Sequence, residues 1–408
     1  MITVGRKNHG MNVTIIGGGS TAHALIPFLS GAGHSVSILT RRPKEWASEV
    51  AVQHQSIHGE VLIVYSGFLA KASDNPMDVI PNTDVIILCM PVSKYRIALH
   101  KIAPYVDNTR KVFIGTIFGQ AGFNWMVEEI KRKFDLNNVV YFAVGLVPWI
   151  CRIIEYGKVG VTYGSKPVNI VAISHQDEFE YLNNMLLSDF CERWFQKGAF
   201  RRAENFLSLT LSVDNQIIHP TRCYGLFLRF GGKWSSQEEI PFFYRDYDQL
   251  SADLLGQVDD DYTAIREAIK AKYPRKNFEY MLDYLALDRL TNKSTYTDIR
   301  ESIVKSETLG AIKPPTVQSE SGAWVIDTNH RFFTDDIHYG LCIAKWISEM
   351  INVDTPSIDS LLGWAQDLRG ERIIMGGKLI QDSDSLSQEF MSGIPTVYGY
   401  NRIDDIID

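Results

Sequence analysis

The 408-residue sequence has few cysteines, no excess of positive charge and no long apolar run. Its five cysteines are widely spaced and form no CxxC pair, which indicates reduced thiols and argues against a zinc site or a disulfide scaffold. Asp and Glu (48) outnumber Lys and Arg (41), and a net charge of −7 disfavours broad nucleic-acid binding. No stretch of about 18 apolar residues occurs, so we expect no membrane span. We therefore expect no bound metal, no nucleic-acid partner and no membrane partner.

The composition and the N-terminal residues bear on domain number and location. The length fits two or three domains, and 45% apolar with 22% charged residues is ordinary for a globular chain. The segment 1–7 lacks the apolar core of a signal peptide. Together with the reduced thiols, this predicts a soluble cytoplasmic protein.

The two halves of the chain differ in pattern. Up to about residue 204, short apolar runs alternate with helical patterns, which predicts a parallel sheet covered by helices on both faces. Beyond it, amphipathic helical patterns dominate. We predict a Rossmann-type dinucleotide-binding domain over 1–204 and an all-helical substrate domain over 205–408. The predicted strands are 12–16, 35–39, 84–90, 111–115, 139–147 and part of 156–174; the predicted helices are 21–30, 93–105, 121–134, 177–200, 206–219, 261–272, 277–290, 336–350 and 357–367.

The sequence GGGSTA at 17–22 fits the G-x-G-x-x-A pattern between a predicted strand and a predicted helix. Gly17 permits the tight turn, Gly19 lets the backbone approach a pyrophosphate, and Ala22 lets the helix pack close to the sheet. The free N–H groups at the helix start favour phosphate. A glycine-rich turn without a ligand is the alternative. The predicted cofactor-binding residues here are Gly17, Gly19, Ser20, Thr21 and Ala22.

The end of the second predicted strand bears on the cofactor's 2′ position. NAD sites usually carry Asp or Glu there, but this chain has Thr40, Arg41 and Arg42. A guanidinium can bind a 2′-phosphate that a carboxylate would repel. These three residues favour NADP(H). If one arginine stacks on adenine and the other is solvated, NAD(H) stays possible.

Two further stretches carry candidate catalytic groups. His219 lies in an apolar helical pattern before Pro220, with Asn215 four residues earlier on the same face. A lone histidine in such a helix is often only structural. The segment 329–341 embeds charged residues among aromatics, which is costly unless they are paired. Its Thr334 or Asp335 could instead simply cap the following helix.

Taken together, these motifs resemble the octopine/nopaline dehydrogenase family, the opine dehydrogenases. They occur in the family's order across nearly the whole chain, although His338 stands where relatives often have proline. The motifs are GGGSTA at 17–22, FGQAG at 118–122, LVPWICR at 146–152, NxxxHP at 215–220 and RFFTDDIxYGL at 331–341.

The resemblance implies reductive condensation of a 2-oxo acid, with pyruvate expected, and the amino group of an amino acid. An imine forms and is reduced by NAD(P)H. By motif match, His219 is the acid/base and Asp336 its partner, while Asp335 is left as a helix cap. Arg331 matches the family's substrate-binding arginine. The other substrate-binding residues implied are Gln120, Cys151 and Asn215.

Two other functions stay open at this stage. A 2-oxo acid reductase of the ketopantoate type would need no amine, but such enzymes rely on a lysine that no motif here supplies. A non-catalytic NADP-binding sensor would bind the cofactor without turnover. The sequence does not decide between these by itself, nor does it exclude a homodimer.

Overall fold

The computed structural model describes residues 10–305, 312–381 and 392–407. The N-terminal segment 1–7, on which the prediction of location drew, lies outside these residues. The chain forms two compact units. The first contains the described residues through Gly119 together with Phe123–Phe206, and the second contains Gln120–Gly122 and the described residues from Leu207 onward. Gln120 thus belongs to the second unit, although the boundary proposed after residue 204 assigns it to the first.

An eleven-stranded sheet forms the centre of the first unit. Its strands are β1 (Asn12–Ile16), β2 (Ser35–Leu39), β3 (Glu49–Gln55), β4 (Val61–Ser73), β5 (Val85–Leu88), β6 (Val112–Thr116), β7 (Val139–Val144), β8 (Trp149–Glu155), β9 (Val159–Ser165), β10 (Val168–Ile173) and β11 (Ala199–Ala203). The helices are α1 (Ser20–Gly31), α2 (Tyr95–Ile102), α3 (Phe123–Phe134), α4 (Phe179–Met185) and α5 (Glu192–Phe195). Short 3₁₀ turns lie at Pro43–Glu45, Pro76–Asp78, Val92–Lys94, Ala103–Tyr105, Gln176–Glu178 and Leu187–Asp189.

The strand order is β11-β10-β7-β6-β5-β1-β2-β4-β3-β9-β8. β1 pairs in parallel with β2 on one side and with β5 on the other, so the chain changes direction across the sheet at this point. In open parallel sheets, ligands bind beyond the carboxyl ends of the strands at such a switch point. The glycine motif follows β1 directly, and its position therefore fits the predicted dinucleotide site.

Parts of the first unit differ from the prediction. The β3–β4 hairpin was missed; β4 begins with four exposed apolar residues, 61–64, which give no alternation of buried and exposed side chains. β8, which pairs antiparallel with β9, was also missed. The predicted helix 177–200 is broken into α4, a 3₁₀ turn and α5, and its end belongs to β11.

The second unit is mainly helical. Its helices are α6 (Phe206–Thr210), α7 (Asn215–Phe230), α8 (Gln249–Lys272), α9 (Tyr284–Asn292), α10 (Ile299–Val304), α11 (Arg331–Thr334), α12 (Cys342–Ile351) and α13 (Pro356–Arg369), with a π-helical turn at Ile337–Leu341 and 3₁₀ turns at Pro395–Tyr398 and Ile403–Asp405. Its strands are β12 (Lys233–Trp234), β13 (Thr316–Gln318), β14 (Trp324–Ile326), β15 (Ile374–Met375) and β16 (Lys378–Leu379). Among the described residues, no helix combines the length and apolar character needed to cross a membrane.

The Rossmann-type fold with a helical second domain is confirmed, but "all-helical" was too strict. A three-stranded sheet (β12-β14-β13) and the β15–β16 hairpin were missed because strands of two or three residues leave no periodic pattern. The predicted helix 206–219 is broken into α6 and α7, and the predicted helix 277–290 begins only at Tyr284. The Asp214 side chain caps α7 and that of Asp283 caps α9, so each of these helices starts at the following residue.

Candidate active site

The glycine turn after β1 has the backbone shape that a dinucleotide site requires. Gly17 has φ +103°, and a Cβ there would lie 2.5 Å from the Cys89 carbonyl oxygen at the end of β5. Around Gly19 the space is open, since a Cβ would meet no other atom nearer than 3.8 Å. Gly17 is thus required by the protein itself, whereas the space at Gly19 can admit a ligand.

Helix α1 begins in a way that suits an anion. It starts at Ser20 with no side-chain cap and with no acidic residue in its first turn, and Ala22 is fully buried. The first amides of a helix need an acceptor, and the helix dipole favours a negative one. Ser20, Thr21 and the open space at Gly19 therefore fit the pyrophosphate of NAD(P)H.

His23 holds this turn in place and was missed by the sequence analysis. Its Nδ1 lies 2.8 Å from the Gly19 carbonyl oxygen, and its Nε2 accepts from the Gly157 amide at 2.7 Å. Burial lowers the pKa of His23 below its usual value, against the raising effect of the Gly19 bond. Because the ring donates with one nitrogen and accepts with the other, it is neutral. His23 belongs to no motif, and its position inside a helical pattern does not distinguish it from its neighbours.

The residues after β2 are placed differently from one another. Thr40 is buried, and Arg41 and Arg42 are exposed. The Arg42 guanidinium lies 3.5 Å from the centre of the Tyr156 ring and 3.2 Å from Glu45. Arg41 makes no ion pair with the described residues. The positive charge of Arg41 is therefore available to a 2′-phosphate, whereas that of Arg42 is partly neutralised by Glu45.

In the second unit, helix α7 carries His219. The helix continues through Pro220, where the missing N–H normally disturbs a helix. The Thr221 hydroxyl donates to the Ile217 carbonyl at 2.6 Å, which supports the backbone beside the proline. His219 thus lies on a rigid, buried segment and is only 1% exposed.

His219 and Asp336, 117 positions apart, are brought together by the fold. Nδ1 of His219 lies 2.8 Å from Oδ2 of Asp336, which is 2% exposed and sits between α11 and the π-helical turn. Burial lowers the pKa of His219 well below its usual value, with smaller contributions from Arg331 and His330. Burial likewise raises the pKa of Asp336 well above its usual value. Both shifts have the same cause: the dry surroundings disfavour separated charges, so the pair holds one proton between Nδ1 and Oδ2.

Aromatic rings cover the imidazole. Phe332 stacks on it with ring centres 3.6 Å apart, and Phe243 meets it edge-on at 5.7 Å. The ring orientation is therefore fixed by packing as well as by Asp336.

Arg331 and Asn215 have exposed or half-exposed positions in the same unit. The Arg331 guanidinium is exposed, lies 5.4 Å from the Phe332 ring centre and makes no ion pair within the described part of the chain. Asn215 is the first residue of α7, one turn before His219, and is half-buried. A cationic group with no carboxylate partner beside a buried acid/base can receive an anionic substrate.

Gln120 and Cys151 are buried. Nε2 of Gln120 donates to the Ser212 carbonyl at 2.6 Å, while its Oε1 is buried without a partner among the described residues. Cys151 lies in the hydrophobic core of the first unit, on β8. Burial raises the pKa of its thiol to about 12, so the sulfur is neutral and contributes shape rather than reactivity.

The assignment of Asp335 or Thr334 as a helix cap was wrong. The residue in cap position before α11 is His330, which has extended backbone and whose Nδ1 accepts from the Phe332 amide at 3.4 Å. The helix that the prediction concerned, 336–350, begins as the π-helical turn after Asp336, whose side chain makes no capping bond; Asp335 before it already has helical backbone. An N-cap needs non-helical backbone, which excludes Asp335.

Tyr244 is the second site residue that the sequence analysis missed. Its hydroxyl lies 3.2 Å from Nε2 of His219, the ring nitrogen that faces away from Asp336. The only sequence signal was an aromatic-rich loop at 242–247 with no periodicity, which no motif assigned to the site.

Comparisons with known proteins find similarities to both halves of the chain. Residues 202–369 match the family described as NAD/NADP octopine/nopaline dehydrogenase, alpha-helical domain, and residues 12–117 match an NADP oxidoreductase family described as coenzyme F420-dependent. An opine dehydrogenase of Haliotis discus hannai is 26% identical over 98% of this chain and 98% of its own length. A tauropine dehydrogenase of Arabella iricolor is 25% identical, covering 97% of this chain and 99% of its own.

A solved structure of octopine dehydrogenase with NADH and L-arginine has a TM-score of 0.78 at 25% identity and covers 97% of both chains. These similarities extend over the nucleotide-binding unit and the helical unit alike. Residues 202–369 therefore match the helical domain of the octopine/nopaline dehydrogenase family, the chain is similar over almost its whole length to opine dehydrogenases, and it is an NAD(P)H-dependent oxidoreductase.

Proposed function

We propose that this enzyme is an opine dehydrogenase that condenses a 2-oxo acid, with pyruvate as the first candidate, with the amino group of an amino acid. The observation that carries the proposal is the buried His219–Asp336 pair, 2.8 Å apart, in the same unit as the exposed cation of Arg331. His219 can be neutral or protonated and so can act as an acid or a base, and Arg331 can bind a carboxylate. Joining the carbonyl of a 2-oxo acid to the amine of an amino acid requires both.

His219 moves the protons of the condensation. The ammonium group of the amino acid must lose a proton before it attacks the carbonyl carbon, and the resulting carbinolamine oxygen must gain one before it leaves as water. Nε2 of His219 can accept the first proton and return it in the second step. Asp336 holds the ring by Nδ1 and stabilises the imidazolium while it exists.

Arg331 binds a substrate carboxylate through two N–H donors and so orients the carbonyl carbon. When bound, NAD(P)H supplies the hydride that reduces the imine carbon to a secondary amine. The turn at Gly17–Gly19 and the start of α1 hold its pyrophosphate. The aromatic rings of Phe243 and Phe332 keep water away from the imidazole, which favours loss of water from the carbinolamine.

The proposed activity is tested by following absorbance at 340 nm with NADPH, and separately NADH, together with pyruvate and a panel of amino acids. We expect oxidation that requires both the oxo acid and an amino acid. Oxidation with the oxo acid alone would instead show a simple oxo-acid reductase, and absence of oxidation across panels of both substrates would contradict the proposal. Product mass, equal to both substrates minus water plus two hydrogens, identifies the opine.

We further propose that the enzyme prefers NADP(H), with Arg41 as the principal ligand of the 2′-phosphate. Arg41 makes no ion pair with the described residues, whereas Arg42 is paired with Glu45 and stacked on Tyr156. No acidic residue occupies positions 40–42, where a carboxylate would bind ribose hydroxyls and repel a phosphate.

Replacing Arg41 with alanine should weaken NADPH binding by about 10- to 100-fold, the effect of losing one or two charge-assisted hydrogen bonds. Arg42→Ala should cost less, and neither change should alter NADH binding much. Fluorescence titration with both cofactors measures this. Lys44→Ala, which removes an exposed cation from the adjacent turn, is the matched control. Equal weakening of NADPH and NADH in Arg41→Ala would refute the 2′-phosphate assignment.

A further inference from the structure

The imidazole of His219 has no free nitrogen in this structure. Nδ1 contacts Asp336 at 2.8 Å and Nε2 contacts the Tyr244 hydroxyl at 3.2 Å. Both His219 and Asp336 are at most 2% exposed, whereas Tyr244 is 8% exposed. Within the described part of the chain, a proton leaving Nε2 therefore meets the Tyr244 oxygen first. On the other side of the imidazole, the buried Asp336 leaves no exposed path for a proton.

The Tyr244 hydroxyl suits either protonation state of Nε2. When Nε2 has a lone pair, the hydroxyl donates to it; when Nε2 carries a proton, the phenol oxygen accepts it. A group that can accept on one side and donate on the other can pass a proton without moving far. The other groups facing the imidazole are charged or titratable but do not contact Nε2; they are Arg331 and His330, with Asp335 and Asp214 acting on Asp336.

Arg222 fixes the loop that carries Tyr244. It is fully buried on α7, one turn after His219, and its guanidinium donates to the carbonyls of Phe242 (3.2 Å), Phe243 (3.1 Å) and Asp246 (2.8 Å). Three backbone carbonyls on both sides of Tyr244 are thus tied to the helix that carries the acid/base. This arrangement holds the phenol at a defined distance from Nε2 and gives a fully buried arginine a specific purpose.

We propose that Tyr244 is a further catalytic residue, whose hydroxyl passes protons between Nε2 of His219 and the substrate. The proposal rests on the condensation proposed above and adds a group that touches the reacting oxygen. In the dehydration step, the carbinolamine oxygen takes the phenol proton as its C–O bond breaks and water leaves. The phenol oxygen takes the proton of Nε2–H at the same time. The imidazolium becomes neutral, the nitrogen lone pair forms the C=N bond of the iminium, and the phenol is regenerated.

Tyr244→Phe tests this role because it keeps the ring and removes only the hydroxyl. We expect kcat to fall about 10²-fold, within the range for losing acid/base assistance, with KM for both substrates nearly unchanged. The solvent isotope effect on kcat should increase, because proton transfer becomes rate-limiting. Tyr247→Phe is the matched control: its hydroxyl is also buried in the same loop but contacts Thr221 and Ser251, not His219. It should keep wild-type kcat.

The outcomes separate the alternatives. An unchanged kcat with a lower KM would show that substrate displaces Tyr244, and equal losses in Tyr244→Phe and Tyr247→Phe would show a structural role; either result overturns the proposal. NADPH titration and thermal unfolding of each variant identify a folding defect. The wild type is assayed in parallel, so absence of condensation there concerns the proposed function alone. If the wild type reduces the oxo acid without amine, Tyr244→Phe and Tyr247→Phe are compared in that reaction. The carbonyl oxygen then takes the proton of the Tyr244 hydroxyl.

Discussion

His219→Ala should lower kcat by about 10²- to 10⁴-fold, the range expected when a general acid/base is lost. Two proton transfers in the proposed condensation pass through Nε2, which lies 3.2 Å from the Tyr244 hydroxyl. Because burial lowers the pKa of His219 well below its usual range, Nε2 is unprotonated at neutral pH. The wild-type kcat/KM should therefore decline only below about pH 6.5, and the variant should lack this acidic limb.

The cofactor should still bind this variant normally, since the glycine turn and α1 belong to the first unit. NADPH titration together with steady-state kinetics therefore separates a lost acid/base from a misfolded protein. Thermal unfolding is needed as well, because removing the imidazole leaves the buried carboxyl of Asp336 without its partner. A variant that binds NADPH normally and turns over at the wild-type rate would remove His219 from the mechanism.

The sequence predicts the nucleotide-binding half well because local rules decide its structure. β1 is short and rich in β-branched residues, β2 alternates serine with apolar residues, and the glycines between β1 and α1 leave few alternatives. The first part of β4 escapes the same rules, since its apolar residues 61–64 are exposed and follow no burial pattern. An exposed apolar run such as this one is held by its pairing with the neighbouring strand, which its own sequence does not show.

The active site divides in a similar way. His219 and Asp336 could be paired only through the family resemblance, since a distance of 117 positions in sequence says nothing about contact. Tyr244 could not be found at all, because it is held beside His219 by bonds from Arg222 to backbone carbonyls. Every residue has a backbone carbonyl, so hydrogen bonds to carbonyls leave no recognisable pattern in the sequence. His23, which bonds two backbone groups, escaped for the same reason.

Asp336→Asn should lower kcat by about 10²- to 10⁴-fold while leaving the size and shape of the side chain unchanged. The amide can face Nδ1 of His219 in two ways. If it donates to Nδ1, the ring proton moves to Nε2, which can then no longer accept a proton from the ammonium group. If it accepts from Nδ1–H, the tautomer is kept, but the imidazolium loses the negative charge that stabilises it. Both arrangements block the same step.

A second buried histidine–aspartate pair provides the matched control. In the first unit, Nε2 of His34 lies 2.9 Å from Oδ2 of Asp189, and both side chains are 1% exposed. Asp189→Asn makes the same chemical change in a pair that no proposed step uses. Each variant should lose about 1–3 kcal/mol of unfolding free energy from its weakened buried hydrogen bond, but only Asp336→Asn should lose turnover. If the two variants lost stability and kcat in the same proportion, the His219–Asp336 pair would be structural, and the acid/base would have to be sought among other residues.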